Sequence, residues 1–125
     1  VWPKRNLWIF VIMVNLRNIK VYVAGKYSGD VEKNIEKAAQ VSAKLWDIGF
    51  TVICPHMNTA NFEHRCKITG WEDFLEGDLV LLKDCNMLVV LDDWEESKGA
   101  RKEVKAAKEW GIPIYSERLE RLDDV

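Results

Sequence analysis

The run MLVVL at residues 87–91 decides the fold. Its five consecutive apolar residues show no alternation with polar ones, which is the pattern of a parallel strand buried on both faces. On its N-terminal side, residues 70–85 carry apolar residues at helical spacing. On its C-terminal side come an acidic loop at 92–98, a second helical pattern at 99–110 ended by Gly111, and a short strand at 112–115 with Pro113 near its start. Further upstream, IKVYVA at 19–24 is a β-rich run that ends on Gly25, and GKYSGD at 25–30 is a loop with two glycines. Residues 31–48 then place Ile35, Ala38, Ala39, Ser42, Leu45 and Trp46 on one helical stripe, with Asp30 as N-cap and Gly49 as C-cap. A strand at 51–54 stops at Pro55, and 56–69 is polar and aperiodic, a long loop. The order β-α-β-α-β-α-β predicts an α/β fold. We expect a Rossmann-like or flavodoxin-like three-layer sandwich with a four- to five-stranded parallel sheet. Ligands in such sheets bind outside the carboxyl ends of the strands, so the loops at 25–30, 55–69 and 92–99 are the ones to watch.

The chain has 125 residues, 18 Lys+Arg and 20 Asp+Glu, for a net charge of −2. That length fits one domain, expected over residues 19–115, preceded by an apolar extension at 1–18 and followed by a charged tail at 116–125 that is either a short helix or frayed. The near-neutral charge argues against a nucleic acid polymer as partner. LWIFVIMV at 7–14 falls far short of the roughly 20 apolar residues that span a membrane. Cys54, Cys66 and Cys85 are odd in number, widely spaced and without a CxxC pair, which points to a reducing cytoplasm rather than a disulfide framework. Cys54-x-His56 and His64-x-Cys66 have an unusual spacing for zinc, so we expect no metal. GKYSG at 25–29 lacks the spacing of a P-loop, and no GxGxxG is present.

Two carboxyls break the pattern. At about 100° per residue, Asp78 falls within the apolar stripe of Trp71, Phe74, Leu75, Leu79 and Leu82. It is either bonded to nearby backbone, or slightly off the face and solvated, or a buried carboxyl with a raised pKa suited to acid catalysis. Glu103 borders a small-residue seam of Ala100, Val104, Ala107 and Gly111, in the first turns of its helix, where the N-terminus favours a charged carboxylate. It is either a nucleophile or a surface acid paired with Arg101, Lys102 or Lys105. An acid kept neutral and an acid kept charged, about 5–5.5 Å apart, is the division that retaining glycoside cleavage uses.

IKVYVAGKYSGD (19–30), ICPHMNT (53–59) and GWEDFLEGDLVLLKDCNMLVVLDDWEESKGARKEVKAAKEWGIPIY (70–115) together resemble the nucleoside 2-deoxyribosyltransferase-like superfamily. The similarity is to a branch of small, uncharacterised bacterial and phage proteins, related to the 2′-deoxynucleoside 5′-phosphate N-hydrolases. The resemblance implies that Glu103 attacks the anomeric carbon, that Asp78 protonates the leaving base and that Tyr22 orients the nucleophile. It makes Gly25 the turn glycine beside the sugar-phosphate and Ser97, in the Ser97–Glu103 motif with Gly99, a contact to the sugar or phosphate. Lys26 and Ser28 stand where the N-hydrolases carry serine and arginine, so Lys26 or Arg101 must supply any positive charge for a phosphate. The branch motifs add Tyr27, Asn34, His56 and Asn58 as candidate site residues. What is expected is N-glycosidic-bond hydrolysis or deoxyribosyl transfer on a nucleoside or nucleoside 5′-monophosphate, with no cofactor, in a homo-oligomer whose neighbouring subunit completes the site. The alternatives are a non-catalytic nucleotide-binding or sensor module on the same fold, and a protein-binding role with solvated acids.

Overall fold

The computed structural model describes residues 15–67 and 70–122. The apolar run at 7–14 and the last three residues of the tail lie outside the described residues. The elements run β1 (Lys20–Ala24), α1 (Val31–Ile48), β2 (Thr51–Ile53), α2 (Pro55–Asn58), α3 (Trp71–Lys83), β3 (Met87–Val90), α4 (Lys98–Glu109) and β4 (Ile114–Ser116). Among the described residues, four strands form one parallel sheet in the order β2-β1-β3-β4. The expected three-layer α/β sandwich is thus the observed one.

Alternation along the two central strands divides the core. Tyr22 and Ala24 of β1, with Leu88 and Val90 of β3, face α3 and α4, where they meet Leu82, Val104 and Ala107. Val21, Val23 and Val89 face the other way, against Ala38 and Leu45 of α1. Each such fully buried Val or Leu contributes roughly 1.5–3 kcal/mol relative to exposure. The caps fall where the residue types direct them. Asp30 accepts a hydrogen bond from the Lys33 N–H at 3.2 Å, and Gly49 ends α1 at φ 127° with its N–H on the Leu45 and Trp46 carbonyls.

Three segments differ from the sequence expectation. The 56–69 loop contains the one-turn α2, set by the fixed φ of Pro55 at its start, and a 3₁₀ turn at Phe62–His64. Turns this short are invisible to periodicity. Another 3₁₀ turn, Trp94–Glu96, lies within the acidic loop. The tail from 117 is not helical. Ser116 N–H donates to the Glu120 carbonyl (2.9 Å), Leu122 N–H donates to Ile114 (2.9 Å), and Tyr115 bridges Arg121 antiparallel. The tail therefore folds back on β4, and Leu122 packs against the α3/α4-side core.

Gly25, at the end of β1, is required by close approach. A Cβ there would lie 2.5 Å from Leu91 Cδ1 and 2.8 Å from Leu91 Cβ. Gly25→Ala is expected to destabilise the fold by about 1–3 kcal/mol through overpacking, read as a lower urea midpoint with an unchanged m-value. A wild-type midpoint would refute the packing account.

Candidate active site

At the carboxyl ends of β1 and β3, a cavity of about 760 Å³ opens between the 25–28 loop, the 55–67 segment, α3 and the start of α4. That is the size range of small-molecule sites. Glu103 and Asp78 both line it. Glu103 lies in the second turn of α4, on the seam facing the sheet, and is only 7% exposed. Its carboxylate Oε2 accepts a hydrogen bond from the hydroxyl of Tyr22, which is itself fully buried on β1. The surface alternative for Glu103, pairing with neighbouring lysines or arginine, is therefore not what the chain adopts.

Asp78 is half-buried in the middle of α3. Of that helix only Leu82 is fully buried, because Trp71, Phe74, Leu75 and Asp78 face the cavity instead of the sheet. The apolar stripe read from spacing is real, but its N-terminal half is a cavity wall. Burial raises the Asp78 carboxyl from its ordinary range to about 6. Burial also raises Glu103, more strongly, to about 8. The Tyr22 hydrogen bond pulls it back down and the nearby Asp78 charge pushes it further up. Desolvation outweighs the helix N-terminus, so burial favours the protonated form of Glu103 where a charged carboxylate is expected from its place in the helix. Tyr22 is pushed well above its usual value, mainly by burial and then by Glu103, and stays a neutral donor.

The glycine loop is braced from beneath. Asn34, buried on α1, donates to the Tyr27 and Ser28 carbonyls, both at 3.0 Å. His56 is buried, and burial lowers its pKa. Its neutral ring bonds the Lys26 carbonyl at 2.9 Å, with Nε2 therefore carrying the proton. Tyr27 packs edge-on to His56, donates to Glu63 at 3.1 Å and accepts from the Asn61 N–H at 2.9 Å. Ser97 caps α4 by accepting the Ala100 N–H at 3.0 Å.

Of the candidate residues, Gly25, Lys26, Tyr27, Ser28, His56, Ser97 and Gly99 line the cavity with the two acids. Asn34 instead holds the loop, Tyr22 lies beneath Glu103, and Asn58 is exposed and outside the lining. Arg101 also lies outside it, donating to the Glu95 carbonyl at 2.7 Å. The cavity cations are Lys26, Lys67 and Lys98. Lys67, Lys98 and Glu63 were not singled out in the sequence. Lys98 had a signal, its place at the first turn of a helix bordering a ligand loop, whereas Glu63 sits in a segment without periodicity. Among the described residues, no group of three His, Cys, Asp or Glu side chains is arranged to hold a metal ion. No helix among them is long and apolar enough to cross a membrane.

The parallel 2-1-3-4 sheet with helices on both faces is a fold shared with solved 2-deoxyribosyltransferases. The chain is similar in structure to a 2-deoxyribosyltransferase from the psychrotolerant bacterium Bacillus psychrosaccharolyticus, with 24% identity, a TM-score of 0.57, and coverage of 78% of this chain and 70% of that one. It is also similar to a 2-desoxiribosyltransferase from Leishmania mexicana, with 16% identity, a TM-score of 0.55, and coverage of 78% of this chain and 63% of that one, under two thirds of its length. Residues 19–116 match the family described as a domain of unknown function, DUF4406, and the chain belongs to that family. No curated protein matches it.

Proposed function

We propose that the chain cleaves the N-glycosidic bond of a nucleoside or nucleoside 5′-monophosphate, by hydrolysis or by deoxyribosyl transfer. The observation that carries this reading is the buried Glu103 carboxyl, held by the Tyr22 hydroxyl, in one cavity with a half-buried Asp78. The reactive pair is an ionised Glu103 and a protonated Asp78. Ionised Glu103 attacks C1′ while protonated Asp78 donates to the departing base. The C1′–N bond breaks with its electron pair going to the base, and a C1′–O bond to Glu103 forms. Water, or a second base, then attacks C1′ while giving its proton to Asp78, and the C1′–O bond breaks to release Glu103 as carboxylate. In this reading the protein is cytoplasmic, and a homo-oligomer roofs the cavity.

The test is release of free base from a panel of nucleosides and their 5′-monophosphates. No release from any of them would sink the enzyme reading. Asp78→Asn is expected to lower the rate about 100- to 1,000-fold on ordinary bases, and far less on a substrate whose leaving group departs without a proton. Equal losses on both would remove Asp78 from the acid role.

One observation favours a second reading, a non-catalytic nucleotide-binding or sensor module. Glu103 is buried against Tyr22, and burial favours its protonated form, as suits a hydrogen-bond donor to a bound ligand. Thermal stabilisation by nucleosides without turnover would establish that reading.

A further inference from the structure

We propose that the cavity takes a neutral nucleoside and disfavours the corresponding 5′-monophosphate, because the chain's own carboxylates hold the position where a phosphate would be received. This rests on the nucleoside reading above and narrows it.

In an open α/β sheet, the turn after β1 and the helix N-termini beside it offer N–H groups and nearby cations to an anion. Here several of those donors are already engaged. The Lys26 N–H donates to Asp93 Oδ1 at 3.2 Å. The Lys26 ammonium lies 3.4 Å from Glu96 Oε1. At the N-terminus of α1, the Lys33 N–H is bonded to Asp30, and at that of α4 the Ala100 N–H is bonded to Ser97. Asp93 is fixed in place, with its side chain 14% exposed and its other oxygen 3.8 Å from Lys37 Nζ. A phosphate brought to Lys26 would therefore meet Asp93 and Glu96 at close range, and like charges so juxtaposed are strongly selective against a ligand.

The other cavity cations do not change this. The Lys98 ammonium lies 5.8 Å from the centre of the Trp71 ring, on the α3 wall that carries Asp78, and Lys67 is exposed. A 5′-hydroxyl fits the same place well. It needs an acceptor, and Glu96, which lines the cavity, has carboxylate lone pairs to spare.

The test is binding, measured by calorimetry at low salt on Glu103→Gln so that turnover does not intervene. The probes are the four common 2′-deoxynucleosides and their 5′-monophosphates. The best-bound nucleoside is expected to bind roughly tenfold more tightly than its monophosphate. Adding Glu96→Gln, a change at an exposed side chain, is expected to narrow that gap by roughly threefold or more, chiefly by tightening the monophosphate. A monophosphate bound as tightly as its nucleoside, a ratio that Glu96→Gln leaves unchanged, or binding of neither ligand would each overturn the proposal. Preferred nucleoside binding together with no base release by the wild-type protein would support it and refute the enzyme reading, so the two failures are distinguishable.

Discussion

Glu103→Ala is expected to lower base release by roughly ten-thousand-fold or more, the scale of losing a nucleophile from a covalent mechanism. The substitution also leaves the buried Tyr22 hydroxyl without its acceptor, which costs about 1–3 kcal/mol of stability. Activity must therefore be compared where the variant is fully folded. Glu103→Gln removes that ambiguity, since its amide oxygen still accepts from Tyr22 while its side chain cannot attack C1′. Both variants should show the same collapse in single-turnover rate, with intact ligand binding in Glu103→Gln. Base release by Glu103→Gln within tenfold of wild type would exclude Glu103 as the nucleophile.

The second large effect is on stability against pH, and its sign follows from the direction of the Glu103 shift. The carboxyl titrates near 4.5 when unfolded and near 8 when folded. Between those values the folded protein binds the extra proton, so stability falls as pH rises. The contribution is present in full below about 4.5, is lost progressively through about 8, and is flat above. For a group this buried the loss is on the order of a few kcal/mol. Asp78 adds a smaller loss of the same sign at the acid end of the window, below about 6. Urea unfolding at pH 5 and pH 9 should show wild type losing more stability than Glu103→Gln. Equal losses in the two proteins would mean that Glu103 is not buried as a neutral acid.

The sequence carried the fold because its signals are ones that periodicity expresses. MLVVL is apolar throughout because the central strand β3 and the residue after it are covered on both faces. The caps Asp30 and Gly49 were legible from residue type alone. Asp78 was visible as an acid within an apolar stripe, and Glu103 as an acid bordering a small-residue seam with a surface role left open. Periodicity could not tell that the stripe around Asp78 divides between core and cavity, because a wall and a core present the same residues. Nor could it show that Tyr22, spaced like any strand residue, meets Glu103 some eighty positions away. The burial that raises the Glu103 pKa was not legible for a related reason. Position in a helix is a local property, whereas desolvation depends on what the rest of the chain packs on top. The brace of Asn34 under the glycine loop and the Tyr27–Glu63 contact are long-range side-chain bonds with no sequence period at all.

Tyr22 sits on β1, one of the two strands hydrogen-bonded on both edges and covered on both faces. In most proteins the functional groups ride on loops that open cheaply, while the centre of the sheet exchanges its amide protons only on global unfolding. Here the group that holds Glu103 belongs to that slowest-exchanging unit, and the 55–67 wall and the glycine loop are attached around it. Local breathing of the rim can admit and release a ligand without disturbing the Tyr22–Glu103 pair. The Tyr22–Glu103 pair is thus anchored in the most durable part of the domain, and divergence in the surrounding segments is free to accumulate without touching it.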